Sequence, residues 1–66
     1  MGTAKVIEVS SESSTSFEDA ITQGISKAGE SVRHIKGGWV KDQQVVVDNG
    51  KVVGYRVDLK LTFMLE

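Results

Sequence analysis

An Asn-Gly pair in the last third of the sequence limits the possible folds more than any other feature. Asn49 and Gly50 lie between two runs rich in β-branched residues, and both tolerate the positive φ angles that a type I′ hairpin turn requires. A two-residue loop at this point predicts that Asp48 faces Lys51, which fixes the register of the hairpin. Counted outward, the predicted pairs are Val47–Val52, Val46–Val53, Gln44–Tyr55, Gln43–Arg56, Lys41–Asp58, Val40–Leu59 and Trp39–Lys60.

The strand after this turn alternates between two kinds of residue, which assigns its side chains to two faces of a sheet. One face, which we call the core face, carries Val53, Tyr55, Val57, Leu59, Leu61, Phe63 and Leu65. The other, which we call the outer face, carries Val52, Gly54, Arg56, Asp58, Lys60, Thr62 and Met64, next to Trp39, Lys41, Gln43, Val45 and Val47. Because the outer face combines one tryptophan with charges and amides, we look for function there.

The N-terminal half of the sequence predicts one strand followed by one helix. Ala4 to Val9 has the composition of a short strand, and the serine-rich stretch from Ser10 to Ser16 suits a loop that leads into a helix. Apolar residues then recur at helical spacing, which predicts a helix from about Ser14 to about Glu30. They are Phe17, Ala20, Ile21, Gly24, Ile25, Ala28 and Val32.

Two local features refine the helix. Thr15 and Glu18 have the spacing of a capping box, with Ser13 or Ser14 as alternative caps one turn earlier. Gly24 lies on the apolar stripe, where glycine costs up to ~1 kcal/mol relative to alanine, so we expect it to mark a close approach to the sheet. The predicted fold is a single α+β domain over residues 1–66, with the order β-α-β-β and the helix on the core face.

The composition limits which interactions can stabilise so small a domain and which classes of partner it can bind. The sequence has 66 residues, no cysteine and one histidine, which excludes disulfides and thiolate metal sites. We therefore expect self-association to support so small a core. A net charge of −1 gives no basis for a nucleic-acid or membrane partner. Neither a membrane span nor a signal segment is visible, so we expect a cytoplasmic protein.

Three side chains of the outer face form a candidate ligand site. Trp39, Gln43 and Arg56 combine an indole with amide and guanidinium donors, which suits a flat heteroaromatic ligand. Packing of Trp39 in an interface between subunits is the alternative, and composition alone favours it. The valines of the same face are expected to form such an interface, because soluble monomers rarely expose apolar patches of this size.

No catalytic residues are predicted, and we expect a protein that is not an enzyme. His34 is the only imidazole and lies in a polar linker, and no phosphate-loop or dinucleotide fingerprint is present. Acidic residues near the predicted loop and helix start have the chemistry to bind a hard cation, with solvated charge as the simpler interpretation. They are Glu8, Glu12, Glu18 and Asp19.

Nearly the whole sequence, from about Lys5 to Glu66, resembles the dodecins. The resemblance rests on the β-α-β-β order and on the segments KVIEV, SFEDAI, SVRHI and GYRVDLKLTFMLE. It implies a three-stranded antiparallel sheet wrapped around one helix, and a hollow homododecamer. It also implies a non-catalytic protein that binds and stores flavins, and in some members coenzyme A.

The sequence departs from the family pattern at both positions that contact the flavin. The stacking tryptophan of flavin-binding members falls at Gly37, and the glutamine that binds the ring edge falls at Arg56. Trp39 lies two residues after Gly37, on the same face and ~6–7 Å along the strand. The predicted ligand-binding residues are Trp39, Arg56, Gln43 and Gly37, with a flavin (FMN, riboflavin or FAD) as the first candidate ligand.

A shell without flavin, either structural or cation-binding, is the alternative function. Some dodecin-like proteins carry an arginine after the equivalent of Tyr55, as this protein does at Arg56, and a calcium-binding dodecin has a similar strand. The resemblance therefore also implies calcium as a candidate ligand, although the sequence assigns no metal-binding residues. In that interpretation the outer face is used for subunit packing.

Overall fold

In a computed structural model, which describes residues 2–65, the protein forms one helix and three strands in the predicted order. The elements are β1 (Ala4–Ser13), α1 (Phe17–Gly29), β2 (Ile35–Asp48) and β3 (Lys51–Met64). β3 lies between β1 and β2 and is antiparallel to both. The predicted α+β fold is confirmed. Within the described residues, no helix has the length and apolar character that crossing a membrane requires.

β1 is longer than the sequence predicts. The predicted strand ends at Val9, whereas β1 continues to Ser13 and shortens the predicted loop. It does so because β1 pairs with β3 without a register shift, from Ala4 opposite Met64 to Ser13 opposite Tyr55. The serines of this segment therefore alternate between the two faces of the sheet. On the core face their small side chains leave room for α1.

The start of α1 is fixed by a different serine from those predicted. The N-cap is Ser16, whose hydroxyl oxygen accepts a hydrogen bond from the backbone N–H of Asp19 at 2.9 Å. Neither the capping box at Thr15 nor the alternative caps Ser13 and Ser14 are used. Ser13 instead donates to the Asp19 carboxylate at 2.6 Å and accepts from the Thr15 backbone N–H at 2.9 Å. These bonds hold the loop against the helix start, so α1 begins at Phe17.

The core lies between α1 and the core face of β3. Four residues are at most 2% exposed: Ala20, Val57, Leu59 and Leu61. Gly24 is buried above them, and a Cβ at this position would lie 3.0 Å from Leu59 Cδ1 and from Ser11 Cβ, which confirms the predicted close approach. The prediction of the core row is wrong at its two ends. Val53 and Leu65 lie outside the cluster under α1 and are 49% and 57% exposed.

The predicted hairpin turn is confirmed, but the predicted register holds only in part. Asn49 and Gly50 have φ values of 53° and 75°, and Asp48 faces Lys51. One step beyond the Val47–Val52 pair, the register shifts and leaves Val53 as an extra residue on β3. A second shift leaves Lys41 as an extra residue on β2 and restores the predicted pairs Val40–Leu59 and Trp39–Lys60.

Between these two β-bulges every predicted pair is wrong. The observed pairs are Val46–Gly54, Val45–Tyr55, Gln44–Arg56, Gln43–Val57 and Asp42–Asp58. Residues directly opposite each other share a face, and a shift of the pairing register by one residue moves a side chain to the other face. Gln43 therefore shares the core face with Val57, and Gln44 takes its predicted place opposite Arg56.

The molecule is elongated, with principal extents of 49 × 19 × 14 Å. The end of the hairpin extends beyond the part of the sheet that β1 and α1 cover. β1 ends opposite Tyr55, so the turn and the residues beside it pair only with each other. We call residues 45–53 the hairpin tip. Its large apolar side chains are about half exposed: Val45, Val47, Val52 and Val53. The fold thus completes its core near the helix and leaves a second apolar cluster open at the tip.

Candidate functional site

The outer face of the sheet is organised in rows that cross all three strands. The register of β3 with its two neighbours defines three polar rows, Glu12–Arg56–Gln44, Ser10–Asp58–Asp42 and Glu8–Lys60–Trp39. The central row has carboxylates on two strands, and the rows on either side contain the cations.

Arg56 is held by a carboxylate that the sequence placed in a loop. Its Nε and Nη2 atoms donate to Glu12 Oε1 at 3.0 and 2.9 Å. The pair is partly exposed, with 42% of the Arg56 side chain and 50% of the Glu12 side chain accessible, so its net contribution is at most about 1 kcal/mol. Glu12 offsets the charge of Arg56 and competes with any ligand for its donors. The extension of β1 brings this partner into reach.

Trp39 is the exposed aromatic residue of the outer face. Its side chain is 52% exposed, and Lys60 Nζ lies 5.8 Å from the ring centroid, within the range of a cation–π contact. Gly37 precedes Trp39 by two residues on the same strand and lies opposite Thr62. A Cβ built at Gly37 would have no neighbour within 4 Å. The position of Gly37, two residues from Trp39, is therefore open.

The predicted ligand-binding residues are not brought together within one protomer. Trp39 is opposite Lys60, which lies four residues along β3 from Arg56, a separation of roughly 13 Å at about 3.3 Å per residue. Gln43 shares the core face with Val57. Trp39 and Gly37 thus share one end of the outer face, Arg56 lies at the other end, and Gln43 is on the opposite side of the sheet.

The central row holds two carboxylates that sequence reasoning missed as a pair. Asp42 is directly opposite Asp58, and Asp58 Oδ1 accepts a hydrogen bond from Ser10 Oγ at 2.5 Å. Lys41, predicted to face Asp58, lies in the bulge and pairs with Glu8, with 3.2 Å between Nζ and Oε2. Among residues 2–65, neither aspartate has a cationic partner. Like charges directly opposite destabilise a sheet.

The four acidic residues near the predicted loop and helix start, for which solvated charge was the simpler interpretation, do not lie together in the structure. Glu8 and Glu12 lie on β1 and pair with cations of the outer face. Asp19 accepts hydrogen bonds from Ser13 and from Gln23 Nε2, the latter at 2.5 Å. No cluster of three potential metal ligands is present within the part of the protein that the structure describes. The carboxylates of the central row are therefore the remaining acidic pair.

His34 lies in the connection between α1 and β2, as the sequence predicts. It has a positive φ of 64°, and its carbonyl oxygen accepts a hydrogen bond from the Met64 backbone N–H at 3.1 Å. Its imidazole is exposed, and no hydrogen bond or ion pair joins it to another described residue. The positive φ occurs directly before β2 begins at Ile35.

A cavity of about 340 Å³ lies between α1 and β2, and two of the predicted ligand-binding residues, Trp39 and Gly37, are among the residues that line it. Ile21 and Ile25 of α1 form one wall, and Gly38 and Val40 of β2 form the other. Apart from Lys36 and Trp39, the residues that line it are apolar residues and glycines. Specific ligand sites combine apolar walls with convergent polar groups, which here are found on the outer face.

The sequence matches the family model described as Dodecin over residues 3–66. It is 32% identical over 65 residues to the calcium dodecin of Mycobacterium tuberculosis, with 98% of this sequence and 92% of that protein covered. The structure is similar to the dodecin of Streptomyces coelicolor, with a TM-score of 0.92, 28% identity and 97% and 91% of the two proteins covered. A variant of the Thermus thermophilus dodecin gives a TM-score of 0.91 at 28% identity, with 97% and 96% covered.

Proposed function

Because the protein belongs to the dodecin family, whose membership supports small-ligand binding, we propose that it is a non-catalytic protein that binds a divalent cation of the calcium type on its outer face. The observation that carries this proposal is the central row, in which Asp42 faces Asp58 and Ser10 donates to Asp58. The relative named calcium dodecin supports the choice of cation.

The chemistry of the central row fits a hard cation. Calcium binds six to eight oxygens from carboxylates, carbonyls and water, and the row supplies two carboxylates and one hydroxyl from a single protomer. The neighbouring ion pairs, Arg56–Glu12 and Lys41–Glu8, neutralise the other acidic residues of the outer face. The uncompensated negative charge is therefore concentrated at the aspartate pair. The remaining ligands would be water or groups of a second copy.

Calcium titration of the chelator-treated protein tests this proposal. Calorimetry should detect binding that is lost in Asp42→Asn and Asp58→Asn and kept in the control Asp48→Asn, whose carboxylate faces Lys51 at the turn. Without calcium, Asp42→Asn should raise the unfolding free energy by about 0.2–1 kcal/mol, because it removes the repulsion between like charges. The absence of binding at about 1 mM calcium, the weak end of known protein sites, would contradict the proposal.

Flavin binding is the second candidate function, and the exposure of Trp39 favours it. Trp39 is half exposed and lies two residues from Gly37, where a Cβ would have no neighbour within 4 Å, so this part of the strand offers room for a flat ring. The distance of Arg56 from Trp39 and its pairing with Glu12 count against a site formed by one protomer. Titration with riboflavin, FMN and FAD should quench flavin fluorescence in the native protein and in Asp42→Asn, but not in Trp39→Leu. Unquenched fluorescence in the native protein rules out this candidate.

We further propose that the protein assembles as the hollow homododecamer that its family implies. The exposed valines of the hairpin tip and the exposed Trp39 support an assembly that covers these apolar side chains. Light scattering should give a particle of about twelve times the 7.2 kDa protomer mass, and a monomer mass would contradict the assembly. Storage of the ligand within such a shell, coenzyme A as a further ligand and a cytoplasmic location stay predictions.

A further inference from the structure

The hairpin turn has chemistry of its own, besides its part in the fold. Asn49 precedes Gly50, both are exposed, and a Cβ built at Gly50 would have no neighbour within 4 Å. We propose that Asn49 is a site of spontaneous deamidation, and that its isoaspartyl product loosens the hairpin tip. The reaction needs only water, and glycine is the residue that hinders it least, because it places no side group beside the attacking nitrogen.

The reaction proceeds through a cyclic imide. The backbone nitrogen of Gly50 loses its proton to solvent base and attacks Cγ of Asn49, so that a new bond joins these two atoms while the bond from Cγ to the amide nitrogen Nδ2 breaks. Nδ2 leaves as ammonia. Water then opens the ring at one of its two carbonyls and gives aspartate or isoaspartate at position 49. The rate rises with pH, because the attacking nitrogen must first be deprotonated.

The folded turn opposes this reaction. Type I′ geometry sets ψ of its first central residue near +30°, which directs the Gly50 nitrogen away from the amide group of Asn49. Ring closure therefore requires rotation about the Cα–C bond of Asn49 and opening of the turn. Within one protomer the hairpin tip pairs with no third strand, so it is the part of that protomer's sheet where such opening is least opposed. The deamidation rate thus reports how often the tip opens.

The two products differ in their effect on the hairpin. Aspartate keeps the backbone unchanged and tolerates the positive φ of this position. In isoaspartate the backbone runs through what was the side chain of residue 49, which adds one methylene to the main chain of the turn. The register of the hairpin depends on a two-residue loop at this point. Either product also adds a negative charge next to Asp48. We therefore expect isoaspartate to free the Val47–Val52 pair.

Peptide mapping by mass spectrometry tests this inference on the intact protein. After incubation at mildly alkaline pH, isoaspartate should accumulate at position 49, and neither Gln43 nor Gln44 should be deamidated. The reaction should be at least about tenfold slower in the folded protein than in concentrated urea, which corresponds to an opening free energy of about 1.4 kcal/mol. Amides of the tip should exchange hydrogen faster in the aged protein.

Asn49→Gly is the matched control, because Gly-Gly supports the same turn and has no side-group amide. Its hydrogen exchange at the tip should not change on ageing. Unmodified Asn49 in both folded and unfolded protein, equal rates in the two states, or unchanged tip exchange after isoaspartate has formed would each overturn the inference.

Discussion

The two ends of β3 have similar composition and opposite environments. From Tyr55 to Leu61 the inward residues of the strand are covered by α1, and Val57, Leu59 and Leu61 are at most 2% exposed. At the start of the strand, Val52 and Val53 are 50% and 49% exposed, although they are as apolar as Val57. The difference is that β1 and α1 reach the strand from Tyr55 onward and do not reach its start.

This contrast distinguishes the apolar residues that one protomer buries by itself from those that the proposed assembly would cover. A domain of about this size buries only about 60% of its unfolded surface, and here the buried part is confined to the neighbourhood of α1. The hairpin tip has the sequence of a core strand without a covering layer. Substitutions in the two regions should therefore act on different equilibria, folding in one and association in the other.

Leu59→Ala should have the largest effect, because it truncates one of the largest residues in the buried cluster. Truncation of a buried leucine costs about 2–5 kcal/mol, measured as the loss of unfolding free energy in urea. Val52→Ala removes a half-exposed valine and is the comparison from the tip. A loss in Val52→Ala that equals the loss in Leu59→Ala at low protein concentration would contradict the contrast.

Gly24→Ala should have the next largest effect. A Cβ at this position would lie 3.0 Å from Leu59 Cδ1, and overpacking costs about 1–3 kcal/mol, more than the gain of up to about 1 kcal/mol in helix propensity. Gly29→Ala is the matched control at the end of the same helix, where a Cβ would have no neighbour within 4 Å. It should keep part of the propensity gain. Thermal unfolding distinguishes the two, and stabilisation by Gly24→Ala would contradict the packing argument.

The fold followed from local signals that agree with each other. The Asn49-Gly50 turn predicted the hairpin, the helical stripe predicted α1, and Gly24 predicted the close contact between helix and sheet. The prediction of the helix cap was wrong, because several serines of one loop are chemically equivalent as caps. In the structure the Ser13 hydroxyl bonds to Asp19 and Thr15 instead, and Ser16 caps the helix.

The candidate site was predicted less well, because it depends on the register at two bulges. A turn fixes the register only as far as the first bulge, and between the first and second bulges every residue has a different opposite neighbour from the one predicted. The bulges at Val53 and Lys41 compensate each other, so Trp39 was placed correctly and Gln43 was not. Gly54 was an available signal, since glycine inside a strand often marks a bulge. The Asp42–Asp58 pair has no signal outside this register.

Removal of the Arg56–Glu12 ion pair should have a small effect on folding. Both residues are about half exposed, and such pairs contribute about 0.2–1 kcal/mol. A double-mutant cycle of Arg56→Met and Glu12→Gln should give a coupling energy in this range that decreases with added salt. A coupling energy well above this range, or one that salt leaves unchanged, would show that the pair is buried by another copy.

Substitutions at the hairpin tip should have the smallest effect on the folding of a single protomer and a visible effect on its association. Val47 and Val52 face each other and are 57% and 50% exposed. Surface substitutions usually change stability by at most about 0.5 kcal/mol, and Val→Thr keeps the branched shape and the strand propensity of valine. In the double variant Val47→Thr, Val52→Thr, we expect unchanged circular dichroism and a lower particle mass by light scattering at limiting concentration. Lys51→Gln, at the same turn, changes a polar residue and should keep the native particle mass. If the double variant keeps it too, the valines are not covered in the assembly, and the two ends of β3 do not differ in the way proposed.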